Sequence, residues 1–142
     1  MSELKVNKLT GKTTAGDITV TSEGGSATQS LQQGLAKAWF EYTSITSTAL
    51  SGSFGISGLV DGGTGDSSLS FTNNMSSSVY VANAVDVSYN TSYNTSVGCY
   101  IESSQNTKQK TSSTFTLLYS NHASLAMYDH CENMGTVHGD LA

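Results

Sequence analysis

The chain has 142 residues, a net charge of −5 and only six Lys and Arg, and its length fits about one domain. This charge leaves no basic patch for a phosphate backbone, so the sequence disfavours binding to nucleic acid or to an anionic membrane surface. No apolar run reaches the ~20 residues that span a bilayer, and the first residues lack the apolar stretch of a signal peptide. We expect a protein made in a cytoplasm, without membrane insertion.

Polarity in this chain comes from hydroxyls and amides rather than from charge. Hydrophobic residues make up 37% and charged residues 12%, whereas globular chains average roughly 45–50% and 25%. Ser and Thr together supply roughly 30% of the residues, and proline is absent. Because Tyr, Val, Ile and Thr are frequent and suit a pleated surface, we predict a folded, all-β protein with a thin core.

The first third of the chain is sparsely apolar. Its apolar residues are separated by glycines, and we interpret them as two short strands joined by a turn. An isolated hairpin of this kind is marginal in water, so the strands need partners from another chain. The apolar residues are Leu4, Val6, Leu9, Ile18 and Val20.

Residues 27–38, which follow a flexible Ser/Gly stretch at 22–26, have the one helical composition in the sequence. Thr28 and the candidate assembly residues Leu31, Leu35 and Ala38 follow a heptad seam. A twelve-residue helix with an internal glycine is unstable alone, so the seams of several chains are predicted to pack together. Periodicity alone equally allows a single helix lying on its own domain.

From residue 39 onward, short β-runs alternate with turn chemistry. The Asp/Gly-rich segment 61–66 predicts a turn, and a slip in phase predicts a bulge near Asn83. This spacing favours an antiparallel β-sandwich, which divides the chain into an attachment and assembly segment, 1–38, and a sandwich domain, 39–142. The predicted runs are 39–43, 54–60, 69–71, 79–87, 97–101, 115–119, 125–128 and 137–141.

Residues 88–96 (SYNTSYNTS) contain a four-residue repeat. Sugar C–H faces stack on tyrosine rings while sugar hydroxyls pair with amides and hydroxyls, so Tyr89, Asn90, Tyr93 and Asn94 are candidate saccharide contacts. The alternative is a polar loop whose tyrosines cover the edge of the sandwich.

Three histidines near the C-terminal end, His122, His130 and His138, are weak metal-ligand candidates, since one imidazole per chain could meet on a symmetry axis. Their spacing matches no zinc template, which favours surface and turn residues, and we predict neither a metal nor another cofactor. Cys99 and Cys131 form no framework pattern and are expected to be buried or half-buried thiols.

No set of residues in the sequence defines a nucleophile, a base and an orienting acid. Asp61, Asp66 and Asp86 lie in turn-like or alternating contexts that explain them without a glycosidase carboxylate pair. We therefore predict a protein that is not an enzyme.

Several short segments, spread in order over most of the chain, support a family resemblance. They are 2–9 (SELKVNKL), 16–20 (GDITV), 34–39 (GLAKAW), 61–66 (DGGTGD) with 71–72 (FT), and the terminal 139–142 (GDLA). Together they resemble the short tail-fibre-like virion proteins of marine podoviruses, including cyanophages and related phages. Residues 89–113 have no counterpart in that resemblance.

The resemblance implies a virion protein that assembles as a homotrimer, joins other virion proteins through residues 1–38 and recognises a glycan or protein on the host surface. An alternative is a structural role without host recognition, as a head fibre, a capsid-decorating protein or a tail adaptor. A third, a depolymerase, is disfavoured because such enzymes usually have longer chains with acidic clefts.

Overall fold

The computed structural model describes residues 3–12, 18–87, 97–101, 110–121, 127–129 and 131–142. The chain divides into two compact units, Met1–Leu35 and Ala36–Ala142. The sequence placed this division after Ala38. The structure places it earlier because Ala38 begins a strand of the larger unit and is fully buried there.

The smaller unit contains one short hairpin. Strand β1 (Thr19–Thr21) pairs antiparallel with β2 (Thr28–Ser30), and the Ser/Gly stretch between them forms the turn, with Gly25 in the left-handed region at φ 76°. The prediction of a strand over the earlier apolar residues is wrong, because residues 3–12 contain no strand. The partner of β1 instead comes from the start of the predicted helix.

The predicted helix over residues 27–38 is reduced to one turn, α1 (Leu31–Gly34). Thr28 lies in β2 and Ala38 in the core of the larger unit, so a continuous heptad seam through these residues is not formed. The helix is short because Gly34 disfavours its extension and no charged residue stabilises its ends. The unfavourable free energy of helix nucleation is offset only when further turns are added. Leu31 is half-buried, and 55% of the surface of Leu35 is exposed.

The larger unit contains two four-stranded antiparallel sheets. In the first sheet the strand order is β4-β3-β10-β7, and in the second it is β5-β6-β9-β8. The all-β prediction is confirmed, and two antiparallel sheets fit the predicted sandwich. The strands are β3 (Ala38–Thr43), β4 (Ala49–Phe54), β5 (Ile56–Gly63), β6 (Asp66–Phe71), β7 (Val81–Val87), β8 (Val97–Ile101), β9 (Thr114–Asn121) and β10 (Glu132–His138).

Several strands overlap the predicted runs, but β4 (Ala49–Phe54) was not predicted. The predicted run at 54–60 instead contains the end of β4, a bend at Gly55 and the first part of β5. Of the predicted turn at 61–66, only residues 64 and 65 form the turn, and the others belong to the ends of β5 and β6. The predicted strand at 97–101 matches β8.

The last strand was predicted at 137–141, but β10 runs from Glu132 to His138. The sequence missed its first half because the residue buried there, Asn133, is polar. Half of the predicted run at 125–128 lies outside the described residues, and the described half, Met127 and Tyr128, belongs to no named strand.

The predicted bulge near Asn83 is wrong. Pairing between β10 and β7 continues without a shift from Glu132 opposite Val87 to His138 opposite Val81. The apolar pattern of the sequence changes phase here because partly buried alanines and exposed valines alternate along this strand. The register shifts of the two sheets instead occur in β3–β4, at Glu41/Tyr42, and in the β5–β6 hairpin.

One hydrophobic cluster includes residues from both sheets. Phe115 of β9 is at its centre, with ring centroids 5.7 Å from Phe40 of β3 and 5.3 Å from Phe71 of β6. The hydroxyl of Tyr42 donates a hydrogen bond of 3.0 Å to the hydroxyl of Tyr119, which links the first sheet to the second within the core. Aromatic side chains compensate for the low apolar content, because each one buries a large area.

Candidate functional site

The outer face of the first sheet carries a shallow groove of about 410 Å³. Strands β3, β10 and β7 form it, and each contributes side chains from alternate positions, as strand geometry requires. The six side chains that shape it are Trp39, Glu41, Asn83, Val85, Met134 and Thr136.

Strand register arranges these side chains in two rows. Trp39 is opposite Thr136, which is opposite Asn83, and these three form one row across the sheet. The second row, one step along the strands, is Glu41, Met134 and Val85. Adjacent strands are about 4.8 Å apart, so the two ends of a row are separated by about 10 Å.

Trp39 is the dominant surface of the groove. Its indole is 45% exposed, and its six-membered ring lies over Gly52, where an added Cβ would be 3.4 Å from Cζ3. The indole therefore lies against the neighbouring strand β4 at van der Waals distance. Phe54, opposite Trp39 in the β3–β4 register and 60% exposed, extends the aromatic surface beyond the groove.

The backbone under the groove is closely packed at Gly135. An added Cβ there would lie 2.6 Å from Cζ of Phe40 and within 2.3 Å of the carbonyl oxygen of Asn83. Only glycine allows β10 to pass over the Phe40 ring and hold the rows in place. This requirement was not predicted from the sequence, since a single glycine in a polar run gives no signal of what lies beneath it.

Polar groups in the groove are free to bind a ligand. Across the described ranges, the side chains of Glu41, Asn83 and Thr136 form no hydrogen bond or ion pair with the protein. The groove contains one carboxylate and no Lys or Arg among its lining residues. It can therefore supply an amide, a hydroxyl and a carboxylate beside an aromatic ring.

Most of the site residues predicted from sequence lie outside the described residues. This holds for Tyr89, Asn90, Tyr93 and Asn94, and for His122 and His130. His138 is half-buried at the end of β10, opposite Val81. Within the part of the chain that the structure describes, no three His, Cys, Asp or Glu side chains are grouped as a metal site would require.

Cys131 is free and half-buried, as predicted for a thiol. Among the carboxylates weighed for catalysis, Asp61 has a structural role: its Oδ1 accepts the Gly63 N–H at 2.8 Å and its Oδ2 accepts the Thr48 hydroxyl at 2.9 Å. These two hydrogen bonds, the backbone one first, lower the pKa of Asp61.

A second polar cluster lies at the edge of the core. Burial raises the pKa of Tyr80, whose hydroxyl donates to the Thr114 carbonyl at 3.0 Å. The Nζ of Lys110 donates a hydrogen bond of 2.6 Å to the Tyr80 carbonyl. The same Nζ lies 4.6 Å from the centroid of the Tyr80 ring. These contacts hold the segment before β9 against Tyr80.

No helix in the described ranges is long and apolar enough to cross a membrane. Comparison of the chain with protein-family models, with curated proteins and with solved structures gave no significant match.

Proposed function

We propose that the chain is a bacteriophage virion appendage, a tail fibre or adhesin that assembles as a homotrimer and attaches to the host cell surface. In this proposal the larger unit is a β-sandwich knob and the smaller unit joins copies of the chain to each other and to the virion. The protein acts by binding and has no catalytic role. The observation that carries the proposal is that the larger unit has a buried hydrophobic core, whereas the described residues of the smaller unit include no buried apolar side chain.

Apolar side chains of the smaller unit are open to solvent in the single chain. Leu4 is 79% exposed, Leu9 54% and Val20 49%, and the only sheet of the described smaller unit has three-residue strands. A two-stranded sheet of this size cannot offset the entropy of ordering its own residues. Burial against identical copies or a neighbouring virion protein supplies the missing stabilisation.

The assembly is tested by light scattering on the full-length chain. We expect three times the chain mass of 14.9 kDa. The double variant Leu31→Asp, Leu35→Asp should give the monomer mass, because an unpaired charge in an apolar contact costs several kcal/mol. A control, Val79→Asp, alters a side chain that is 85% exposed in the larger unit and should leave the trimer intact. A monomeric wild-type chain would overturn the trimer.

The position in the particle is tested by imaging virions labelled with an antibody against the larger unit. Label on the tail is expected. The exposed apolar residues of the smaller unit would equally suit an anchor on the capsid, so label on the capsomers would replace the adhesin with a head fibre or capsid-decorating protein.

Host recognition is tested by adhesion of labelled protein to intact cells from a panel of marine bacteria. Wild-type protein should bind at least one strain. The double variant Tyr89→Ala, Tyr93→Ala should bind that strain more weakly if the repeat contacts the host glycan, with unchanged thermal unfolding as the control for folding. Absence of adhesion across the panel contradicts the receptor-binding role.

A further inference from the structure

We infer that the groove on the outer face of the first sheet binds a neutral saccharide, with Trp39 as the stacking platform. The identification of that saccharide with a host-surface glycan rests on the proposed function. The binding site itself rests on the side chains of β3, β7 and β10.

The chemistry of the groove fits a sugar. A pyranose ring presents an apolar C–H face and a rim of hydroxyls, so its site needs an exposed aromatic ring beside hydrogen-bonding groups without partners. Trp39 offers the ring at 45% exposure, while Thr136 and Asn83 continue the same row. An indole gives large contact area at low conformational cost, and an amide both donates and accepts.

Charge favours a neutral ligand over an acidic one. Glu41 is the one charged side chain among the residues that line the groove, and the whole chain has a net charge of −5. An anionic polysaccharide would meet a carboxylate and no cation, and a phosphate group would find no basic partner. A neutral sugar hydroxyl, in contrast, can donate to the Glu41 carboxylate, which is a charge-assisted hydrogen bond.

Size also agrees. A groove of about 410 Å³ lies within the range of small-molecule sites, roughly 300–1,000 Å³, and holds one or two sugar rings. Its openness to solvent suits a segment within a longer glycan chain, since both ends of the bound segment can leave the surface. A second copy that paired through the same groove is a poorer occupant, because it would bring another Glu41 carboxylate and no Lys or Arg from the groove lining.

The chain contains a single tryptophan, so intrinsic indole fluorescence reports on this groove alone. We would titrate the full-length protein with defined neutral gluco-, galacto-, manno- and rhamno-oligosaccharides and follow that emission. At least one should shift or quench it saturably. A matching sialylated or uronic-acid oligosaccharide should bind more weakly.

Variants then locate the contact by calorimetry with the oligosaccharide that binds. Trp39→Ala should lower the affinity at least about tenfold, and Asn83→Ala should lower it by a smaller factor, as for a central aromatic and its polar neighbour. Val60→Ala, which trims a 60% exposed side chain on the second sheet, should leave the affinity unchanged. Unchanged thermal unfolding would show that each variant is folded.

The outcomes separate this inference from the proposed function. If wild-type protein adheres to cells but no neutral oligosaccharide perturbs Trp39, the groove assignment is overturned and the adhesin stands. If an oligosaccharide binds at Trp39 but no cell is bound, the saccharide site stands and the host-attachment role is lost. If Trp39→Ala binds the oligosaccharide as tightly as the wild type does, the groove assignment is also overturned. The same holds if Trp39→Ala disrupts assembly but leaves sugar binding intact.

Discussion

The two units of this chain share a polar composition but differ in what they bury. Along β6 of the larger unit every second residue is buried, including Leu69 and Phe71, while all three residues of β1 are exposed. Alternation gives burial only when a second sheet covers the alternate positions. Low hydrophobicity is therefore compatible with a defined core where strands are numerous, and not where only a hairpin is present.

The difference also separates two sources of stability. The larger unit draws on its own aromatic cluster, centred on Phe115. The smaller unit has no comparable cluster among its described residues and, in our proposal, gains order from assembly. The stability of the larger unit should be independent of protein concentration, whereas the stability of the smaller unit should rise with protein concentration.

The largest expected effect comes from removing the centre of the aromatic cluster. Phe115→Ala should lower the free energy of unfolding of the larger unit by about 3–5 kcal/mol, because it leaves a cavity between the sheets. Phe54→Ala removes the same ring from a position that is 60% exposed and should cost less than about 1 kcal/mol. Urea unfolding of both variants checks the pair. Equal losses would contradict the assignment of the core.

A leucine pair tests the contrast between the units directly. Leu69→Ala, at a fully buried position, should cost about 2–5 kcal/mol, whereas Leu4→Ala, at 79% exposure, should cost less than about 0.5 kcal/mol in the dissociated chain. Denaturation at two protein concentrations is the measurement. The Leu4 variant should lose stability only at the higher concentration, where assembly buries the side chain. A loss at both would show that the smaller unit has its own core.

The β5–β6 turn offers a smaller and more local test. Gly65 has φ 69°, and an added Cβ would lie 2.7 Å from the Tyr119 carbonyl, so Gly65→Ala should cost about 2–3 kcal/mol. Gly58 of β5 has no positive φ, and a Cβ there would make an ordinary contact at 3.8 Å with Ser70. Gly58→Ala, read from the same thermal unfolding experiment, should therefore cost less than about 1 kcal/mol. Similar costs for the two variants would contradict strain and crowding at Gly65.

Much of the larger unit was predictable because its strands alternate visibly or end at Asp/Gly turns. The burial of polar residues could not be predicted in this way. Ser67, Thr116 and Asn133 are buried, and nothing in a chain so rich in hydroxyls and amides distinguishes them from exposed neighbours. The smaller unit was predicted least well, since the short apolar pattern at 27–38 fits a helix as readily as the strand and single turn that form.

The groove escaped sequence analysis for a related reason. Trp39 was predicted in a strand, but its neighbours in space come from β10 and β7, which follow much later in the chain. Only the register brings Thr136 and Asn83 beside it. The saccharide candidates chosen from the sequence were instead local in the chain, the repeat at 88–96, because a single sequence reveals local patterns and not pairings between distant strands.

The smallest effect we predict concerns Asp61, at the edge of the larger unit. Its carboxylate accepts hydrogen bonds from the Gly63 N–H and the Thr48 hydroxyl, which lower its pKa below the ordinary value of about 3.9. Because the folded pKa is the lower one, the stabilisation is present above the unfolded value and is lost as pH falls through the folded value. Carboxyl NMR should give a midpoint below the ordinary value, and Thr48→Val should raise it. Thr46→Val, at an exposed neighbouring position, should leave it unchanged, and a midpoint insensitive to both changes would contradict the role of Thr48.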